Sequence, residues 1–463
     1  MMPFARQLYA HALPCLLSMT LWSTVTIGLP ALAQGQRLSL EFSQASLHDP
    51  EYQSAIAQRD GGVESLEQAK AALLPQISSN LQRSQNNTDS RSQTLLGPVD
   101  RSFDNYPAMS ASLQLRQGLY RPKSWAGLAQ SKAQAEYAEQ SLAAARQDLG
   151  VRLMSTHAEW SAASTALKAS KETIEIQARL AAQVQKQFKA GDATRTDVEV
   201  AQARLSQARS QFAEAELAFE NAKLAWIQMT GLSGLMGLNP QPFSLSARLA
   251  DHLPLAHANL QRWQEAAREQ NPLLRAQRAA ISSAKEEVKK AQAEHLPTAD
   301  LFASRSYSKS AMDNTIGTEY RTAQIGVQVA VPIFAGGAIN SIIRQAEANL
   351  RRAEHDHLAA INRLNLQIDR DWRSLEAAKV EGTAQRRTID ALQVVIESAT
   401  RGLSAGIATR QDEDQANLQL LNASRDLGRA NARALAAWSR LMASLGALNE
   451  ANLSEAEAAI SKP

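Results

Sequence analysis

The chain has 463 residues, 44% of them hydrophobic but only 5% aromatic, and Ala, Leu, Ser, Gln, Arg and Glu dominate. That balance favours long helices over one large compact core. Lys and Arg number 49 against 46 Asp and Glu, a net charge of +3 with no basic block, so nothing points to nucleic acid.

Residues 1–33 read as a signal peptide: Arg6 gives a positive start, an apolar stretch follows, and "ALA" at 31–33 forms a small-residue cleavage site. The single cysteine, Cys15, lies inside this leader, so the mature chain is expected to carry neither disulfide nor thiol chemistry. Beyond Gln34 no apolar run is long enough to cross a bilayer as a helix, which leaves an exported protein that is soluble or spans a membrane as strands.

Residues 43–73 read as a helix, although Gly61–Gly62 weakens it. Next comes a hairpin of a weaker strand at 76–86, a polar loop at 86–105, and a strongly alternating strand at 107–120 in which Met109, Ala111, Leu113 and Leu115 interleave with polar residues. Residues 122–188 form a long helix with apolar or small residues seven apart: Leu128, Ala135, Leu142 and Leu149, then a step of four to Leu153, then Trp160 through Phe188. Sustained sevens mean coiled-coil packing, and the inserted four is a stutter. The turn "AGDATRTD" at 190–197 follows, and a return helix at 194–230 ends near Gly231.

The order then repeats. Residues 265–295 resemble 43–73 at an offset of 222, and strands at 298–308 and 321–334 flank a loop at 309–320. Ile325, Val327, Val329, Val331 and Ile333 alternate with polar or small residues. The heptads, the stutter, the turn "AGIATRQD" at 405–412 and the terminal glycine recur 215 residues after their first copies. The chain is thus a tandem duplication, with repeats at 34–248 and 249–450 and a polar, poorly ordered tail at 451–463. The segment 232–262 has no assignment beyond packing near the middle of the helices.

Four strands of about 10–12 residues suit tilted membrane-spanning strands but cannot close a barrel in lipid. Association of identical chains can close one, and three copies supply twelve strands. Met109, Leu113, Leu115, Ile325, Val327, Val329 and Val331 are then expected to face lipid. The fold class is mixed and mainly α: helical hairpins forming a coiled-coil α-barrel, plus a four-stranded share of a trimeric twelve-stranded transmembrane β-barrel.

"NPLLRAQRA", "LYRPKSWAGLAQSKAQAEYA", "VPIFAGGAINSIIRQAEANL" and the two turn motifs, in this order behind a leader, resemble the TolC-like outer-membrane channel proteins of Gram-negative bacteria. The resemblance implies a homotrimer in the outer membrane that extends into the periplasm. It would act as an exit duct for multidrug efflux or type I protein secretion, with a periplasmic adaptor and an inner-membrane pump or ABC exporter as partners. It implies adaptor docking at the tips, around Gly191, Asp192, Thr194, Gly406, Ile407 and Thr409. It implies a periplasmic constriction at Asp412, with Asp414 nearby and Asp197 at the other tip. Read without the resemblance, Asp197 and Asp412 are helix-start acids that complement the dipole. The family's second acidic position falls on Gln415, and its latch residues fall on Leu403 and Ala408, which do not fit the pattern; Arg195 and Arg410 are the replacements in reach. The alternative function is a periplasmic coiled-coil adaptor or scaffold without a pore.

No enzyme motif, cofactor site or metal site emerges. His355 and His357 are two apart and do not face together on a helix. Trp160 and Trp226 fall on seams and read as core, and the sequon at Asn86 carries no weight.

Overall fold

The computed structural model describes residues 37–95, 97–232, 241–257, 259–310 and 318–461. The expected leader and parts of 232–262 and 309–320 lie outside them.

The expected helix at 43–73 is two helices, α1 (Arg37–His48) and α2 (Pro50–Ala71). Pro50 disfavours helical geometry at the residue before it, and Asp49 stands extended at φ −69°, ψ 116°. Its carboxylate accepts the Tyr52 N–H at 2.9 Å and caps α2. The second repeat uses the same device between α6 (Leu260–Gln270) and α7 (Pro272–Gln292), where Asn271 caps through the Leu274 N–H. α5 (Leu249–His252) lies just before them. Gly61–Gly62 does not break α2. A Cβ on Gly62 would sit 2.6 Å from the Ala138 Cβ, so the missing side chain lets two helices touch.

The sheet is antiparallel in the order β1–β2–β3–β4. β1 (Gln76–Thr94) and β2 (Gly97–Tyr120) are 19 and 24 residues long, and β3 (Thr298–Ser310) and β4 (Thr318–Ala330) are 13 each. The expected loop at 86–105 is therefore mostly paired strand. Its polar side chains bond across the hairpin: the hydroxyls of Thr88 and Tyr106 meet at 2.9 Å, and Ser102 donates to Asp89 at 2.6 Å. β4 ends at Ala330, so Val331 and Ile333 lie past the ladder instead of within it.

α3 (Pro122–Ala190) runs 69 residues, about 100 Å at 1.5 Å per residue. α4 (Arg195–Thr230) returns along it, and α8 (Ala338–Ser404) and α9 (Arg410–Ser444) repeat the hairpin. α3 also packs on α9, so the rods lie in the order α4–α3–α9–α8, with α2 and α7 covering the rest of α3. The heptads mark these contacts. In α8 the seam residues Ile368, Leu375 and Gly382 are buried, and Ile343, Leu350, His357, Leu364, Ile389, Ile396 and Leu403 are half-buried.

A hydrophobic core lies where α1, the middle of α3 and α8, and the ends of α4 and α9 meet. Trp160, Trp438, Leu153 and Leu375 are among its buried members. Phe243, Leu245, Leu249 and Leu253 pack there too, which places part of the unassigned segment around the middle of the rods. The expected disordered tail is instead α10 (Glu450–Ser461). Leu453, Ala456 and Ile460 enter the core on one helical stripe, and the buried Glu457 carboxylate accepts the N–H groups of Arg37 and Leu38 at 3.1 and 2.9 Å. Those are orphan donors of α1, so α10 caps α1 across the length of the described chain. In the same core the buried Glu41 bonds His157 and accepts from Arg37 Nε at 2.8 Å. Burial raises its pKa, but His157 and Arg37 outweigh that and hold it below the usual value.

Candidate functional site: the hairpin tips and the two-faced sheet

The two tips share one construction. Gly191 stands at φ 89° and Gly406 at φ 74°, left-handed values that glycine adopts without strain. After Gly191 the Asp192 N–H donates back to the Gln187 carbonyl at 2.9 Å, and after Gly406 the Ile407 N–H donates to Gly402 at 2.9 Å, which closes the ends of α3 and α8. Two residues further on, Thr194 and Thr409 start the return helices. Their hydroxyls accept the N–H of Asp197 and Asp412, while those carboxylates accept the N–H of Thr194 and Thr409 at 2.8 and 3.0 Å. Each is a complete capping box. The duplicated sequence is therefore a glycine that ends one helix and a threonine–aspartate pair that starts the next.

Asp197 and Asp412 are solvent-exposed, and their bonds to Thr194 and Thr409 hold both below the usual carboxylate range. Asp414 differs. It is buried and takes the Arg179 guanidinium at 2.9 Å, tying α9 to α3, while its other oxygen has no partner among the described residues. It is thus bound within the protomer and does not stand beside Asp412 as a free carboxylate. The reading from sequence missed Arg179, which carries no local motif. Arg195 and Arg410 are exposed, with no ion pair among the described residues. Of the tip residues, Ile407 stands out: an apolar side chain 86% exposed at the position that holds Asp192 in the first copy.

The sheet has two unlike faces. The register places Leu81, Ala111, Tyr307 and Arg321 in one row, and Ile77, Leu115, Ala303 and Ile325 in another, with Leu301 opposite Val327 and Ala299 opposite Val329. All share one face. Leu113, Val327 and Val329 on it are 52–63% exposed, and Leu115 is half-buried. Residues of the other face include Asn80, Ser112, Ser306 and Thr322, which form a single polar row. β1 and β4 are both unpaired edges of this chain's sheet. Where the sheet meets the rods, Asp300 is nearly buried and takes Arg116 at 2.7 Å and Arg121 at 2.6 Å, clamping β2 and β3 to the start of α3.

No helix among the described residues is long and apolar enough to cross a membrane, and no cluster of metal-ligating residues occurs among them. Trp160 and Trp226 are buried in the core, as the seam places them.

The outer membrane efflux protein family model matches residues 42–232 and 263–447. The alkaline protease secretion protein AprF of Pseudomonas aeruginosa is 28% identical, over 91% of this chain and 85% of its own. The outer membrane protein TolC of Escherichia coli is 27% identical, over 94% and 87%. Among solved structures, the outer membrane protein VceC of Vibrio cholerae superposes with a TM-score of 0.69 at 19% identity, over 88% of this chain and 96% of its own. The matched residues take in both hairpin tips and the two-faced sheet. The chain is a member of the outer membrane efflux protein family, a TolC-like exit duct of the Gram-negative outer membrane.

Proposed function

We propose that three copies close into one channel, a twelve-stranded barrel continued by an α-helical tunnel into the periplasm. The observation that carries this reading is the sheet, which is apolar on one face, polar on the other, and open at both edges. Unpaired strand edges are prohibited in hydrocarbon, so the edges of β1 and β4 must meet other copies. The apolar face, with Leu113, Leu115, Val327 and Val329, lies against outer-membrane lipid, and Val331 sits at the rim just below the ladder. The polar face lines the lumen.

At the far end, the tips dock a periplasmic adaptor that joins the duct to an inner-membrane pump or ABC exporter. Gly191, Asp192, Thr194, Gly406, Ile407 and Thr409 form the docking surface, with exposed Ile407 as its apolar anchor. Asp412, one per protomer, rings the constriction. Like charges brought close raise one another's pKa, against the lowering by its capping bonds, and a ring of carboxylates favours cations. Two relatives, AprF of Pseudomonas aeruginosa and PrtF of Dickeya chrysanthemi, are named protease secretion proteins, which favours protein export as a cargo class.

The test combines single-channel conductance with export. The purified protein is expected to form trimeric, cation-preferring pores in planar bilayers, and Asp412→Asn is expected to reduce that preference while Asp197→Asn does so less. Gly191→Pro with Gly406→Pro is expected to abolish export and leave outer-membrane trimers intact. A protein that forms no pores would be the adaptor or scaffold of the alternative reading.

A further inference from the structure

The apolar face of the sheet ends differently at its two rims. At the rim next to the helices, large exposed residues gather: Tyr120, Trp125, Ile333 and Phe334. Toward the opposite rim the same face turns basic. Arg83, Met109, Lys309 and Glu319 form one cross-strand row, and Arg321 and Tyr307 sit opposite each other one row closer to the helices. Arg305 lies one row closer again, between Leu113 and Ala323. The polar face over the matching rows carries Gln82, Ser110, Ser308, Asn80, Ser112 and Ser306, without a charge. Four cations and one carboxylate therefore stand on the face that is elsewhere mainly apolar, where a charge is costly at mid-membrane depth and nearly free at the interface.

Resting on the reading that this face lies in outer-membrane lipid, we propose that Arg83, Arg305, Lys309 and Arg321 form a rim that binds the phosphates of a phosphorylated glycolipid, lipid A, in the outer leaflet. The spacing fits. From Ala330, the last residue of β4, to Arg321 is nine residues, about 30 Å of strand at 3.3 Å per residue and about 23 Å of height at a tilt near 40°, close to the height of an apolar band. The basic rows thus reach the headgroup level while the valines below them reach acyl chains.

The local geometry suits a phosphate. Arg305 and Arg321 are diagonal neighbours across the β3–β4 ladder, close enough for two long side chains to share one ligand. A shallow cleft between them is lined by Ser79, Ala111, Leu113, Tyr307 and both arginines. The Arg321 guanidinium lies 6.0 Å from the Tyr307 ring centroid and is partnered by Glu319 at 2.6 Å, which orients it. Arg83, Arg305 and Lys309 are exposed and have no ion pair among the described residues. Guanidinium forks match phosphate bidentately, and hydroxyls of Ser79 and Tyr307 add donors. Leu81, Ala111 and Leu113 give the glycolipid an apolar floor.

The test is native mass spectrometry of the full-length trimer in detergent, titrated with diphosphorylated lipid A. Arg305→Gln with Arg321→Gln is expected to weaken binding about tenfold, consistent with loss of two charge-assisted contacts. Arg101→Gln, on the hairpin beyond the rim, is expected to leave it unchanged. Wild type is expected to bind dephosphorylated lipid A about tenfold more weakly for the same reason. Equal binding of the glutamine pair, or of the dephosphorylated lipid, overturns the proposal. Full displacement by inorganic phosphate overturns it in favour of a free-anion site. If the glutamine pair does not assemble, Lys309→Gln and Arg83→Gln are read instead, each expected to lose binding about two- to fivefold. Failure of the underlying lipid-facing reading shows separately, as equal tolerance of Val327→Arg and Gln328→Arg in trimer assembly.

Discussion

α4 and α9 occupy equivalent places in the duplication, each the return arm of a hairpin, yet they are buried to very different extents. α9 hides Leu427, Ala430, Ala434, Leu435, Ala437, Trp438 and Leu441, among others, while α4 hides only Leu205, Ala208, Trp226 and Thr230. The cause is position. α9 lies between α8 and α3, whereas α4 is the outermost rod on one side and α8 on the other. The edge rods keep apolar stripes uncovered. Leu217 and Leu224 are seven apart on α4, and Leu366, Val380 and Val394 are fourteen apart on α8, all 50% exposed or more. A seven-residue stripe with nothing against it is half of a coiled coil. The two return arms match in order and in turn motif but not in sequence, and they are unequal in role, one facing inward to its own chain and the other outward.

That contrast is broken most strongly in α9. Trp438 is fully buried and donates its indole N–H to the Pro254 carbonyl at 2.6 Å, so Trp438→Ala should cost about 3–5 kcal/mol of fold stability. Leu217→Ala, on the equivalent arm, should change stability within about 0.5 kcal/mol and weaken trimers instead. Denaturant unfolding beside heat-resistant trimer yield checks the pair, and an equal loss of stability in both would remove the distinction.

The sheet offers the next largest effect. Val327→Arg should cost about 2–4 kcal/mol if it lies near mid-membrane, and the adjacent Gln328→Arg much less. Refolding into lipid vesicles measures both, and similar costs would mean that the two faces have been assigned wrongly.

Close helix packing comes third. Gly62→Ala places a methyl 2.6 Å from the Ala138 Cβ and should cost about 1–3 kcal/mol by overpacking. Gly61→Ala meets nothing within 4 Å and should gain up to about 1 kcal/mol from helix propensity. Thermal unfolding of the two single variants separates them by sign.

The smallest effect sharpens the comparison of repeats. Asp49 and Asn271 cap α2 and α7 in the same way, but Asp49 also holds Arg152, at 2.7 and 3.0 Å. Arg152 and the Tyr52 N–H keep Asp49 below its ordinary 3.8. A lowered carboxylate pKa stabilises the fold above pH 3.8, and that contribution is lost as pH falls through the folded value. Asp49→Asn copies the second repeat, should cost about 1–2 kcal/mol at neutral pH, and should flatten the acid limb of the stability profile. An unchanged acid limb would mean that Asp49 is not held by Arg152 in solution.

Much of this architecture was legible because it is periodic. The heptads with their shared stutter, the twin turn motifs and the alternation of Leu113, Leu115, Val327 and Val329 are one-dimensional signals, and helices, tips and strand faces follow them. The two proline junctions were also open to reading, since Asp49–Pro50 and Asn271–Pro272 are helix-start signals, yet the apolar pattern running through them suggested single helices. The strand extensions past Asn86 gave no such signal. Asn, Asp, Ser and Thr there resemble loop chemistry, and only pairing across the hairpin makes them strand. In α10, Leu453, Ala456 and Ile460 are too sparse among Glu and Ser to announce a helix until a core receives them.

The sequence by itself determined the duplication, the length of the rods, the capped tips and the two-faced strands, because each depends on residues a few positions apart. Only the tertiary structure decided which rod is interior and which is edge. It alone paired Asp414 with Arg179, 235 residues away, and made Glu457 the cap of a helix 420 residues before it. Those choices depend on which surfaces meet when the two copies pack side by side, here α3 of the first against α9 of the second, and contacts between residues hundreds of positions apart leave no periodic signal.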